Sequence, residues 1–231
     1  MPRLKVISSL AIKAAYLELV PEFERESKLK VQTEWVGMAD IRKRMLAGEV
    51  SDVVIGSAGL IEDLMRIGSL DSRSRVDLGK SGVGAAVRSD AKKPDLSTVD
   101  ALKAALRAAK SIVYSSGPSG VYLAELFQRL GLEGELKAKA KQAPPGVLVG
   151  ELVAKGEFEL CFQQLPELRQ VAGIDFVGPL PAEVQLVTLF TGAVHSKAAD
   201  AKGAESWLRY LASRDAQRAM RKHGMEPALP S

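Results

Sequence analysis

The sequence predicts an α/β protein of two lobes, each a mostly parallel sheet flanked by helices, joined by two hinge crossings. Three observations lead there. Short apolar runs alternate with segments of helical period along most of the chain. Two extended stretches interrupt that alternation. The chain is also long enough: 231 residues, 46% hydrophobic and 26% charged, can bury a core in each of two lobes of about 100 residues.

In the first series, residues 4–7 form a short apolar strand, and 11–26 carry Ile12, Ala15, Leu19 and Phe23 at helical spacing. Residues 29–36 alternate as a strand, 39–47 are helical with Gly48 as the stop, 53–55 are a buried strand, and 60–67 are helical with Gly68 closing them. Three successive strand-helix units imply parallel pairing. Residues 81–88, Ser-Gly-Val-Gly-Ala-Ala-Val-Arg, then form an extended crossing with no helix behind it.

The second series opens with a helix over 98–109, a strand over 111–114, the loop Ser115-Ser116-Gly117-Pro118-Ser119-Gly120 and a helix over 121–130. It continues with a short strand near 137–140, the turn Ala143-Pro144-Pro145-Gly146, a helix over 147–154, and strands at 159–162 and 175–177. Residues 184–194 form the return crossing, and helices over 198–212 and 215–222 pack back on the first series. The lobes are therefore residues 1–82 with 191–231, and residues 83–190. In such sheets ligands bind at the carboxyl ends of the strands, where helices begin.

Composition excludes several functions. The net charge of +4 arises from 32 basic and 28 acidic residues spread along the chain, and aromatics are 5%, so no nucleic-acid surface is expected. The single cysteine, Cys161, in an apolar run, reads as a small buried hydrophobe, and His195 and His223 form no cluster with metal-ligand spacing. No metal or cofactor is expected. Lys137, Lys139 and Lys141 read as one solvated face of an edge strand. No apolar run approaches the ~18 residues of a membrane span, so no membrane insertion is expected. The start Met1-Pro2 leads straight into a strand with no leader-like segment, so the chain as written is expected in the cytoplasm. A periplasmic role requires a leader that has been removed.

The ordered set of motifs resembles the type II periplasmic binding proteins, and within them the molybdate-binding-protein-like branch. The residues that carry this are Val6-Ile7-Ser8-Ser9, Ala47-Gly48-Glu49-Val50-Ser51-Asp52-Val53-Val54-Ile55, Ser81-Gly82-Val83-Gly84, Ser119-Gly120-Val121-Tyr122, Gly156-Glu157-Phe158-Glu159-Leu160 into Phe162-Gln163-Gln164, and Val177-Gly178-Pro179-Leu180-Pro181. The resemblance implies a monomeric solute-binding protein that closes over a small anion and, where exported, hands it to an ABC permease. Carried over by position, it places ligand contacts at Ser8 or Ser9, at Gly37-Met38, at Ser119-Gly120, near Gly146-Val147, and at Gln163. Three departures from the oxyanion-binding pattern stand out: Gly37-Met38 where a serine is typical, Phe162-Gln163-Gln164 where a tyrosine is frequent, and Arg73 and Arg75 before the crossing.

The residues support this site independently. Ser119-Gly120 follows a strand and opens a helix, where free amides and the helix dipole favour an anion. Ser8 and Ser9 sit between strand and helix in the same way, one of them serving only as a cap. A glutamine amide both donates and accepts, which suits carboxyl and hydroxyl groups better than a spherical oxyanion, so one of Gln163 and Gln164 is expected to touch the ligand. Arg75 is the better placed of the two arginines to clamp a carboxylate, with Arg88 weaker. His195 is read as a helix-start or surface residue rather than a base, and Tyr114 and Tyr122 as packing residues with a donor to spare. No catalytic residue is assigned. The leading expectation is a non-enzymatic binder of an organic polycarboxylate. The alternatives are a molybdate or tungstate binder, and an enzyme similar to the aconitate isomerases on this scaffold.

Overall fold

The computed structural model describes residues 2–228. The chain divides into two compact units, Met1–Ser81 with Thr188–Ser231, and Gly82–Val187. Met1 and residues 229–231, assigned above to the first lobe, lie outside the described residues.

In the first unit, β1 (Arg3–Ser8), α1 (Lys13–Ser27), β2 (Lys30–Trp35), α2 (Met38–Leu46), β3 (Val53–Ser57) and α3 (Ala58–Arg66) follow one another. β1 pairs in parallel with β2 and β3. β4 (Val76–Arg88) carries the chain over the unit boundary, and β9 (Val187–Val194), α9 (Ala201–Leu211), α10 (Arg214–Lys222) and β10 (Glu226–Pro227) complete this unit. The strand order is β2-β1-β3-β9-β4, with β10 also on β4. The period-two pattern explains why helices cover both faces. Leu4, Val6, Val53 and Ile55 join one buried cluster with Trp207 and Leu208 of α9, while Ile7 and Val54 join another with Ile41 of α2 and Ile61 of α3.

Two polar anchors hold α9. Trp207 is fully buried, and its Nε1 donates to the Tyr16 hydroxyl at 3.2 Å while that hydroxyl also bonds Thr33 at 2.5 Å. The buried Asp52 carboxylate accepts the N–H groups of Lys5, Ala199 and Asp200 at 2.8, 2.8 and 3.2 Å, tying β1 to the entry of α9.

In the second unit α4 (Val99–Ala108), β5 (Ile112–Tyr114), α5 (Pro118–Arg129), α6 (Glu133–Leu136), β6 (Ala140–Gln142), α7 (Val149–Ala154), β7 (Leu160–Gln164), α8 (Leu165–Arg169) and β8 (Ile174–Pro179) follow the crossing. β5 pairs in parallel with β6 and β7, and β4 pairs antiparallel with β7 and β8. Alternation again divides the core, with Val83, Ala85, Leu160 and Phe162 on one face and Ala86 and Cys161 on the other.

Several expected elements differ. The strand placed near 137–140 is instead a turn over 137–139 that follows the one-turn helix α6, and β6 begins only at Ala140. β6 lies at the end of the strand order, but Lys139 is not merely solvated, since its ammonium caps the end of α4 through the carbonyls of Arg107 and Ala109 at 2.5 and 2.8 Å. The run from 184 splits because residues 182–184 form a short 3-10 turn and Gln185 pairs by its side chain. Its amide accepts the Val83 N–H at 2.8 Å and donates to the Val83 carbonyl at 2.9 Å. α5 starts at Pro118, three residues before the expected start, because proline at the first position needs no N–H partner. α8 was not expected at all.

Candidate functional site

Register places the site in the first unit. Ser8 is level with Trp35 and Ile55, so the turns after β1, β2 and β3 leave the same sheet edge. Ser8 is fully buried and its hydroxyl donates to the Ser9 carbonyl at 3.1 Å. Ser9 caps the short helical turn that follows, its Oγ accepting the Ala11 N–H at 3.3 Å. Gly37 is the extended N-cap of α2 and brings no side-chain cap, so Met38 begins the helix with its first-turn amides unspent by a capping group. Sequence reasoning missed Ser57. It is the last residue of β3 and the N-cap of α3, and its side chain makes no capping bond. The signal was present, because Gly56-Ser57 joins strand to helix just as Ser8-Ser9 does.

The second unit repeats this arrangement. Tyr114 is level with Gln142 and Phe162, so Ser115, Ala143 and Gln163 leave one edge together. Ser115 and Ser119 are buried, and their hydroxyls bond each other at 2.8 Å. Gly120 is required because a Cβ there would stand 1.5 Å from the Ser115 carbonyl oxygen. Its own N–H is given to the Gly117 carbonyl at 2.9 Å, so the expectation that Gly120 supplies a free amide is corrected. In the first turn of α5 the Ser119 amide is left as a helix-start donor, while its hydroxyl is shared with Ser115.

Gly146 adopts φ of 79°, which glycine tolerates, and turns the chain so that the Val147 N–H meets the Pro144 carbonyl at 3.3 Å. Gln163 is buried and engages this turn: its Oε1 accepts the Val149 N–H at 2.9 Å and its Nε2 reaches the Val147 carbonyl at 3.4 Å. Gly146, Val147 and Gln163 therefore form one assembly. Gln164 is also buried and is the N-cap of α8. Glu167, in the first turn of α8, is a buried carboxyl that sequence reasoning missed, and burial pushes its pKa up to about 7 against the opposing hydrogen bonds from the Gln164 N–H and the Gln163 side chain.

Arg75 is not part of this set. It precedes β4, beside Ser74, whose hydroxyl accepts the N–H of Val194, and Val194 pairs with Val53 at the opposite end of β3. Its guanidinium bonds Glu62 at 2.6 Å and Asp77 at 3.2 Å, which keeps it firmly cationic and already paired. Arg73 and Arg88 are likewise engaged, by Asp71 and Asp90. Tyr122 donates to the Val184 carbonyl at 2.7 Å, and Tyr114 packs edge-on against Phe127. His195 is buried rather than at the surface, and its Nδ1 accepts the Lys197 N–H at 3.0 Å. Burial also raises the Cys161 thiol to about 12, leaving it inert at neutral pH. Among the described residues no group of three or more His, Cys, Asp or Glu could hold a metal ion, and no helix is long and apolar enough to cross a membrane.

Each unit, a sheet with helices starting at the carboxyl ends of its parallel strands, is built as in the periplasmic binding proteins whose solved structures this chain resembles in fold. The family model for bacterial extracellular solute-binding proteins matches residues 4–226, and this chain belongs to that family. A curated aconitate isomerase from Pseudomonas sp is 40% identical over 230 residues, covering 97% of this chain and 87% of that protein. Among solved structures, the periplasmic molybdate-binding protein of Azotobacter vinelandii aligns with TM-score 0.81 at 18% identity, over 99% of this chain and 100% of that one. The sulfate-binding protein of Mycobacterium tuberculosis aligns with TM-score 0.80 at 16% identity, over 100% of this chain and 88% of that one.

Proposed function

We propose that this protein binds a small polycarboxylate of the aconitate class and interconverts its cis and trans forms. The observation that carries the reading is the 40% identity to a curated aconitate isomerase across nearly the whole chain. The donor set supports it. In the first unit Ser8 and Ser57 are hydroxyls at strand-to-helix turns, and in the second unit, taken by itself, Ser119 is another; such donors suit carboxylate oxygens.

The chemistry moves one proton. The methylene carbon of aconitate lies between a carboxylate and the double bond, which acidifies its hydrogens. A base removes one, and the resulting charge spreads over the three-carbon unit and its carboxylates. Returning a proton to the far alkene carbon shifts the double bond, with no redox change and no atom lost. Hydroxyl and amide donors on those carboxylates stabilise the spread charge more than the reactant.

A second reading, a receptor that binds the same ligand without reaction and delivers it to an ABC permease, is supported by the family description. Calorimetric titration with trans-aconitate, citrate, molybdate and sulfate tests the shared ligand class. Tight binding of a tricarboxylate with none of molybdate supports it, and the reverse pattern removes it.

A further inference from the structure

A polycarboxylate site calls for a cation, and the arginines that the sequence offers are spent: Arg73, Arg75 and Arg88 are each paired with a carboxylate. Lys13 is not. It is the half-buried first residue of α1 and follows the short helical turn that Ser9 caps. Among the described residues its ammonium has no hydrogen bond and no ion pair, and the interaction it does make is with the Trp35 ring, 5.9 Å from the centroid. An indole face holds a cation without cancelling its charge or using its N–H donors.

Trp35 places that cation at the strand-to-helix edge of the first unit. It ends β2 and pairs with Ser8, the last residue of β1, and partners in a parallel ladder face the same side of the sheet. Tyr16 meets the Trp35 ring edge-on with centroids 4.9 Å apart, and the Tyr16 hydroxyl is anchored by Trp207 at 3.2 Å, so the ring is fixed from behind. The placement of Lys13 also breaks a local rule. A cation in the first turn of a helix opposes the macrodipole, and that turn of α1 carries no acidic residue to offset it. Conflicts of this kind gather at functional sites, and an anion bound beside Lys13 relieves this one.

We infer that Lys13 is a ligand-binding residue of the first unit, its ammonium pairing with one carboxylate of the polycarboxylate while the Trp35 ring fixes where that charge stands. The ammonium gives a charge-assisted bond, stronger than the serine hydroxyls at the same edge supply.

This rests on the reading of the ligand as a polycarboxylate, and the experiment separates the two. Trans-aconitate is titrated calorimetrically near neutral pH into the wild-type protein, Lys13→Met and Lys13→Arg, once melting curves show each protein folded. Methionine keeps an apolar stem over Trp35 and removes the charge, whereas arginine keeps the charge. Lys13→Met is expected to weaken binding about tenfold to hundredfold, and Lys13→Arg to recover most of that loss. Equal affinity in wild type and Lys13→Met overturns the inference while leaving the ligand reading intact, and so does an arginine variant as weak as the methionine one. The wild type gives a second readout that needs no variant at Lys13. An anion paired with Lys13 changes the field at Trp35, so saturating trans-aconitate should shift the tryptophan emission, and Trp35→Phe should abolish the shift, since Trp207, the other tryptophan, is fully buried. Binding by calorimetry with no such shift in the wild type also overturns the inference. No heat from either aconitate isomer with the wild type removes the ligand reading, and this inference with it.

Discussion

The side-chain oxygen of Gln163 accepts the backbone N–H of Val149 at 2.9 Å, so a residue at the end of β7 fixes the first amide of α7. Both are buried, which makes the bond costly to lose. Gln163→Ala leaves the Val149 donor without that partner and is expected to cost about 1–3 kcal/mol by urea denaturation, while weakening ligand binding through the displaced turn. Unchanged stability would show that the turn before α7 does not depend on Gln163.

Ser57 separates binding from stability more cleanly than the other serines, because its hydroxyl makes no capping bond. Ser57→Ala is expected to change stability by less than about 0.5 kcal/mol. Loss of a hydrogen bond to a charged ligand should weaken trans-aconitate about tenfold to hundredfold in calorimetry. Equal affinity would remove Ser57 from the donor set.

Gly120 tests the close approach of α5 to the β5 exit. A methyl group there meets the Ser115 carbonyl oxygen at 1.5 Å, a backbone atom that cannot move without opening the Ser115–Ser119 hydroxyl pair. Gly120→Ala should destabilise the protein by at least about 3 kcal/mol, or prevent folding, in a denaturation experiment. A near-wild-type melting curve would contradict the packing described.

Two buried groups give stability a pH dependence of opposite sign. Glu167 has a folded pKa raised from 4.5 to about 7, so the folded state holds its proton more tightly than the unfolded chain. Its contribution is fully present below the unfolded value and is lost as pH rises through about 7; Glu167→Gln should then be more stable than wild type at about pH 8, by as much as about 3 kcal/mol. His195 has a pKa lowered by burial, so its contribution is present above the unfolded value of 6.5 and is lost as pH falls below it. Urea midpoints measured across about pH 4 to 8, the window these shifts span, should lose the fall between about pH 4.5 and 7 in Glu167→Gln and the fall below about pH 6.5 in His195→Gln. An unchanged profile in either variant removes that group from the account.

Much of this fold was legible in the sequence because its strands obey a strict local rule. Leu4, Val6 and Ile7, or Leu160, Cys161 and Phe162, declare two buried faces by alternation alone, and glycines mark the helix ends. What escaped depends on tertiary partners. Arg75 looked like a free clamp because Glu62 and Asp77, which hold it, come from a helix and a strand that composition cannot bring together. α8 was hidden because Leu165-Pro166-Glu167-Leu168-Arg169 is only five residues and shows no full helical period. Glu167 itself reads as an ordinary charged residue, since burial of a carboxyl is a property of the packed unit and not of its neighbours in sequence. Ser57 is different, being a local strand-Gly-Ser-helix signal that could have been read alongside Ser8.

The most direct test of the central claim is proton NMR of trans-aconitate incubated with a catalytic amount of the protein near neutral pH. The account predicts growth of the cis-aconitate signals to an equilibrium mixture that is also reached when the reaction starts from cis-aconitate. Unchanged spectra from both starting isomers, under conditions where the protein is folded and molybdate rather than aconitate raises its melting temperature, would contradict it.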